Sequence, residues 1–490
     1  MAGQRHRVDR GVRQGSLREA NLELITRHVF AHGEGDAPIS RARLAEEARL
    51  TRSTSSRLVD ALIEGRILEA LPPVNTAGRG RPAVPLIPAR NSYVGLGLEI
   101  GVGLLAARLV DLSGRVLAES LDEAAPAGAE PGKVLRHLGV MVREILDDLA
   151  PGLILAGATL SVPGLVDRRD GRLLVAPNLG WTDLDPYPFL APVIGPQVDF
   201  HIGNSANLAA RAVAQTRPGC PGPWPSFVYL HGEIGVGAAI RLDGREFLGA
   251  HGWAGEIGHM TVDPAGPECR CGSHGCLEQY VGRLSLLQAA GLPPRASIHT
   301  LSSRLESGEP VAVQAVDAAG HALGSVLSSV VNLLDLPTLM LGGDLAVIGE
   351  HLRGPIAEEM KHRLLSDPLA APEVVLAPVG TALAATGAAY EALDRVILEP
   401  ARWLHSEGEP EEPGECDDAD RDDTEGDTGG DGAGDREGIN RDDDRGDGRP
   451  DGDGDGDRDG GAGEAGAGGP EGGVRAPTGR GPHPAGSVWR

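Results

Sequence analysis

Hydrophobic and polar positions divide this chain into segments of different texture. Leu17, Leu24, Ile25 and Val29 recur at helical spacing up to Gly33 and predict one amphipathic helix. Ser40 has the chemistry of an N-cap for a short second helix through Arg41, Leu44, Ala45 and Ala48. Thr51 does the same for a third, in which Leu58, Val59, Leu62 and Ile63 make the buried stripe. Two apolar segments then flank the Pro/Asn/Gly-rich tip of GRILEALPPVNTAGRGRPAVPLIP, the pattern of a β-hairpin. From Tyr93 the pattern is that of a sheet. YVGLGLEIGVGLLAARLVDLSGRVLAES reads as a hairpin of one glycine-rich apolar strand, a turn at Ser113-Gly114 and a returning strand. A helix around 131–149 and a buried strand LILAGATLSV follow. FVYLHGEIGVGAAIRLDG repeats the pattern of the first hairpin, with Glu-Ile-Gly-Val-Gly beginning at both Glu99 and Glu233, so the region is internally duplicated. The strand TLMLGG at 338–343, between helical stretches, points to alternating βα structure and an α/β fold. Near Leu404 the periodicity stops.

Charge sharpens this division. A net charge of −25 over 490 residues would repel nucleic acid if it were spread evenly. Residues 406–490, however, hold 26 acidic and 9 basic side chains, whereas residues 1–90 hold 15 arginines against 10 acids. The Asp/Gly-rich segment has almost no apolar residues to offset its ordering entropy, which predicts a disordered acidic tail over 405–490; residues 1–15 read as a disordered basic arm. No leader and no apolar run of about 18 residues occurs, and five cysteines, three of them between 269 and 276, do not make a disulfide framework. The expectation is a soluble cytoplasmic protein with no membrane contact.

The three-helix segment followed by a hairpin is the pattern of a winged helix-turn-helix over 16–90, with 91–404 as the next domain. In that arrangement the second helix of the motif enters the major groove of double-stranded DNA, so Arg52, Ser53, Ser56 and Arg57 are expected at base edges and phosphates. Arg79 and Arg81 at the narrow cationic hairpin tip suit an adjacent minor groove. Further on, His259 with Cys269, Cys271 and Cys276 makes a closed Cys₃His set of the type that holds structural zinc, with His274 a competing fourth ligand. Glu256 and Glu278 flank that set and Asn204 lies upstream; carboxylates and amides hydrogen-bond to polyol hydroxyls. Glu99 and Glu233 put negative charge in the glycine-rich hairpins, where a triphosphate needs neutral or cationic donors.

Gly255-Glu256-Ile257-Gly258-His259 and Cys269-x-Cys271-Gly-x-x-Gly275-Cys276-Leu-Glu278 together resemble the signature of the ROK family (repressors, open reading frames, sugar kinases). The resemblance covers roughly 16–400. It includes Leu17-Arg18-x-x-Asn21, the helix–turn–helix with its GRGRP wing, Pro163-Gly164, Asn178-Leu-Gly-Trp181 and Asn332-Leu-Leu-Asp335 leading to LMLGGDL. It implies a two-lobed actin-like ATPase domain of ribonuclease-H type, a sugar near Asn204, Glu256, His259 and Glu278, zinc held partly by His259, and a homodimer or homotetramer. Kinases of the family carry a catalytic aspartate where this chain has Ser205, and their phosphate loops are replaced here by Glu99-Ile-Gly101-Val-Gly103 and Glu233-Ile234-Gly235. A serine cannot take a hydroxyl proton at neutral pH. The resemblance therefore implies a transcription regulator without enzyme activity. It would be a repressor that binds an operator and responds to a sugar or sugar phosphate; the alternative is a carbohydrate kinase with an appended DNA-binding domain.

Overall fold

A computed structural model describes residues 14–32, 38–73, 83–123, 128–366, 369–380 and 382–404. The hairpin tip with Arg79 and Arg81, the tail over 405–490 and most of the arm over 1–15 lie outside the described residues.

The chain begins with α1 (Gln14–His32), β1 (Ile39–Ser40), α2 (Arg41–Glu47), α3 (Arg52–Glu64), β2 (Leu68–Ala70) and β3 (Pro85–Pro88). Ser40 Oγ accepts the Arg43 N–H and Thr51 Oγ1 the Thr54 N–H, each satisfying a donor that a helix start leaves unpaired. The strands form an antiparallel sheet in the order β1-β3-β2. α1 departs from the face that its spacing predicts. Its buried apolar residues are Leu22, Ile25, Val29 and Phe30, with Thr26 buried beside them, whereas Leu17 and Leu24 are exposed. This helix packs at once against Leu44, Leu58, Val59 and Leu62 of α2 and α3 and against Leu393, Val396 and Ile397 near the end of the described chain. These buried positions still follow the helical period and make one face; Leu17 and Leu24 lie on the opposite side of the helix, so an apolar side chain there does not mark the buried stripe.

The first lobe opens with β4 (Tyr93–Gly101), β5 (Leu104–Asp111) and β6 (Val116–Asp122). The segment whose pattern suggests one hairpin is thus three strands, because the chain already turns at Val102-Gly103. That turn escapes notice because its two residues continue an apolar, glycine-rich run. α4 (Pro131–Asp147) and β7 (Ile154–Val162) follow, then a small antiparallel sheet of β8 (Leu165–Asp167), β9 (Arg172–Ala176) and β10 (Trp181–Leu184). α5 (Tyr187–Ile194), β11 (Phe200–Asn204), α6 (Ser205–Ala214) and the hairpin β12 (Gln215–Arg217) and β13 (Cys220–Pro221) complete it. The main sheet runs β11-β7-β4-β5-β6, with β4, β7 and β11 parallel.

The second lobe repeats the scheme. β14 (Phe227–Gly232), β15 (Val236–Leu242) and β16 (Arg245–Glu246) lead to a long loop with a 3₁₀ turn at Ile257–His259. Next come α7 (Glu278–Val281), α8 (Arg283–Ala289), α9 (Ile298–Glu306), α10 (Pro310–Leu334), β17 (Thr338–Gly343), α11 (Asp344–Val347), α12 (Gly349–Arg363), β18 (Glu373–Leu376) and α13 (Leu383–Leu398). Its sheet, β16-β15-β14-β17-β18, has the strand order of the first lobe, which is the structural form of the sequence duplication. α13 returns to the first lobe and lies on β4. A Cβ at Gly97 would sit 1.8 Å from the Ala385 carbonyl oxygen, so the glycines of β4 let helix and strand backbones touch.

Candidate functional site

The two lobes face each other across a cleft of 430 Å³. Asn204 and Ser205, at the β11–α6 junction, line it from the first lobe, and Glu256, His259 and Glu278 from the second. The four residues expected at a sugar therefore meet in one cavity. Their freedom differs. Asn204 Oδ1 accepts the Ala206 and Asn207 N–H groups and its Nδ2 donates to the Gly164 carbonyl at 2.9 Å, so much of this amide is spent capping α6. Glu278 is buried, and its Oε2 accepts the Val236 N–H at 3.0 Å and Asn178 Nδ2 at 3.3 Å. Burial pushes the Glu256 carboxyl above its ordinary value, against the pull of His259 at 4.0 Å and aided by the charge of Glu278. Trp253 Nε1, from the second lobe, donates to the Val166 carbonyl of the first at 3.1 Å.

His259, Cys269, Cys271 and Cys276 each bring one ligand atom to within 4.8 Å of the others, a group that could hold a metal ion. Cys271 Sγ is 3.7 Å from Cys276 Sγ, and Cys269 Sγ is 3.8 Å from His259 Nδ1. A tetrahedral ion bonded to sulfur at about 2.3 Å has ligand–ligand edges of about 3.8 Å, which both of these distances match. Cys269 and Cys276 are buried and Cys271 is exposed. Burial pushes the Cys276 thiol up to about 12, so a nearby cation is what would make it a thiolate. Backbone bridges Thr261–Cys276 and Glu268–His274 fold the loop, and the exposed His274 is not part of the group.

Glu99 and Glu233 extend the cleft into a second cavity of 390 Å³ that also reaches His231, Arg283 and Asp344. Sequence alone does not bring these residues together. Glu233 Oε1 is 3.1 Å from His231 Nε2, and His231 Nδ1 is 2.9 Å from the Tyr229 hydroxyl. Burial disfavours both charges of the His231–Glu233 pair, but their mutual attraction outweighs it: His231 is raised and Glu233 lowered. Arg283 is already paired with Asp344, with Nη2 to Oδ1 at 2.9 Å. Glu99 accepts the Ala385 N–H at 2.8 Å, and burial, then the charge of Glu233, raises its carboxyl to about 7. The motif LGGDL contains Asp344, but only the parallel register of β14 and β17 carries it to the side of β14.

On α3, Arg52, Ser53 and Arg57 are exposed. Ser56 is half-buried and its Oγ accepts from Arg41 Nη1 at 3.1 Å, which ties α2 to α3 and leaves this serine less free for an outside partner than its place on the polar face suggests. Among the described residues, no helix is long and apolar enough to cross a membrane.

The xylose repressor of Caldicellulosiruptor bescii is 28% identical over 367 residues, covering 71% of this chain and 88% of that protein. Among solved structures, a ROK family transcriptional regulator described as a homologue of the E. coli MLC protein superposes with a TM-score of 0.65 at 24% identity, covering 79% of this chain and 99% of that one. A ROK family glucokinase from Streptomyces griseus, in complex with glucose and AMPPNP, gives a TM-score of 0.52 at 25% identity over 61% of this chain and 99% of its own. The duplicated two-lobed domain is thus shared by regulators and kinases. The ROK family model itself matches residues 95–395, well over half of the chain, and the chain belongs to the ROK family.

Proposed function

We propose that this protein is a sugar-responsive DNA-binding transcription regulator, a repressor of carbohydrate-metabolism genes, whose ROK domain no longer transfers phosphate. One observation carries the reading: the cleft is furnished for a polyol by Asn204, Glu256, His259 and Glu278, yet the residue after Asn204 is Ser205. Loss of a positioned base costs about 10²–10⁴-fold in rate. Glu99 and Glu233 also put carboxyls where a nucleotide's phosphates need neutral or cationic donors, and Arg283, beside Glu233, is occupied by Asp344. The repressor name of the C. bescii relative supports the same conclusion.

In this reading α3 enters a major groove, with Arg52, Ser53 and Arg57 toward base edges and phosphates, Ser56 bracing the helix through Arg41, and Arg79 and Arg81 in the flanking minor groove. A homodimer or homotetramer presents two such helices to a pseudopalindrome. His259, Cys269, Cys271 and Cys276 would hold zinc, and it would be structural, because four protein ligands leave no position for substrate. The test combines thermal shift with a panel of sugars, mobility shift on DNA selected from a random pool, and an ATP-coupled kinase assay. A sugar that shifts melting and alters DNA retention, without turnover, is expected. Turnover above background that a Ser205→Asp variant fails to increase would overturn the reading in favour of a kinase.

A further inference from the structure

α6 has its first residues in the cleft and leads at its other end into the hairpin that reaches α1. Asn204 caps it beside the Gly164 carbonyl, and its ten residues span about 15 Å. Seven of them are buried, and its backbone lies directly on α13, where a Cβ at Gly387 would be 1.7 Å from the Leu208 carbonyl oxygen. A helix packed this closely moves as a rod. It runs without a break into the β12–β13 hairpin, whose tip is wedged between α1 and α13: a Cβ at Gly219 would meet Ile397 at 3.1 Å and Phe30 at 3.2 Å.

The hairpin also holds the end of α1 by hydrogen bonds. The last carbonyls of a helix have no partner within it. Arg217 Nη2 donates to the Phe30 carbonyl at 3.2 Å and lies 3.2 Å from Cys220 Sγ, and the Cys220 thiol donates to the Ala31 carbonyl at 3.4 Å. Among the described residues no carboxylate lies in ion-pair distance of Arg217, and its Nε is buried without a partner. Its charge is therefore met mainly by the negative end of α1. α1 in turn shares its core with Leu58, Val59 and Leu62 of α3.

We infer that Arg217 is the joint through which the sugar cleft acts on α3. Displacement of the Asn204–Ser205 turn is carried along α6 to the hairpin, and Arg217 passes it to the C-terminal end of α1. This rests on the function proposed above. Arg217 touches neither ligand and is a positioning residue.

The full chain and its Arg217→Met and Arg217→Lys variants are compared for sugar affinity, for affinity to a DNA fragment selected by the wild type, and for the ratio of DNA affinities without and with sugar. The sugar is whichever of D-xylose, N-acetylglucosamine and glucose shifts wild-type melting most. A coupling ratio of about tenfold in the wild type is expected to fall to within about twofold in R217M, while sugar affinity changes by less than about twofold. R217K, which keeps a cation at the helix end, is expected to retain an intermediate ratio. A wild-type ratio preserved in either variant overturns the inference alone. A wild type that binds neither sugar nor DNA overturns the proposed function, and this inference with it. If R217M does not fold, R217K decides.

Discussion

Glu99 offers the most direct test of the interlobe electrostatics. It is 3% exposed and raised from 4.5 to about 7, first by burial and then by Glu233. In the unfolded chain it ionises near 4.5; folded, it keeps its proton until about pH 7. Between these values the folded state binds the extra proton, so stability falls as pH rises through that window and is constant above it. The full difference corresponds to about 3 kcal/mol, of which about 2 kcal/mol is lost between pH values of about 5.5 and 8. Glu99→Gln keeps an oxygen for the Ala385 N–H and has nothing to ionise. Urea unfolding of both proteins at the two pH values, at equal ionic strength, measures the effect. His231, Glu233 and Asp344 are present in both chains, so the difference between the proteins reports Glu99 together with its coupling to Glu233 and His231. The expected outcome is that E99Q gains about 2 kcal/mol over the wild type on going from the lower to the higher pH. Parallel pH dependence in the two proteins would refute the assignment of a proton to this carboxyl.

Removing the metal with a chelator at neutral pH should lower the melting midpoint of the ROK domain, and Cys276→Ser should reproduce the shift with no further effect of chelator; unchanged melting counts against the Cys₃His site. Arg52→Ala should weaken binding to the selected DNA about 10- to 100-fold while leaving sugar-induced thermal shifts intact, measured by mobility shift and calorimetry. Deleting 406–490, which removes far more acidic than basic charge, should strengthen non-specific DNA binding at low salt, and an unchanged salt titration would contradict that role for the tail.

The most legible features in the sequence are those that short-range chemistry determines. Ser40 and Thr51 each precede a helix they cap, and the Cys269–Cys276 cluster lies within one loop, so spacing alone identifies them. The duplicated Glu-Ile-Gly-Val-Gly segments foretell two lobes of equal strand order. What spacing does not reveal depends on distant partners. The face of α1 that holds Leu22, Ile25, Val29 and Phe30 shares its core with Leu393, Val396 and Ile397, more than 360 residues away, a partner that spacing does not name. The charge state of Glu99 depends on Glu233 from the other lobe. Asn204 has the chemistry of a ligand for hydroxyls, but an asparagine directly before an apolar helical run is also an N-cap signal, and that signal shows how much of its amide is committed.

The position of the His259 ring has a consequence for how a ligand is oriented. Its Nδ1 faces the cysteine sulfurs and its Nε2 faces Glu256. Were a metal ion held on Nδ1, it would take that nitrogen's lone pair, the proton of the neutral ring would reside on Nε2, and the imidazole could only donate into the cleft. Beside it, an ionised Glu256 can only accept. A hydroxyl bound between them must accept from one and donate to the other. In the proposed site the pair would thus read the direction of a single O–H bond: an ether at that position would leave Glu256 without a donor, and a methyl group would leave both residues unsatisfied.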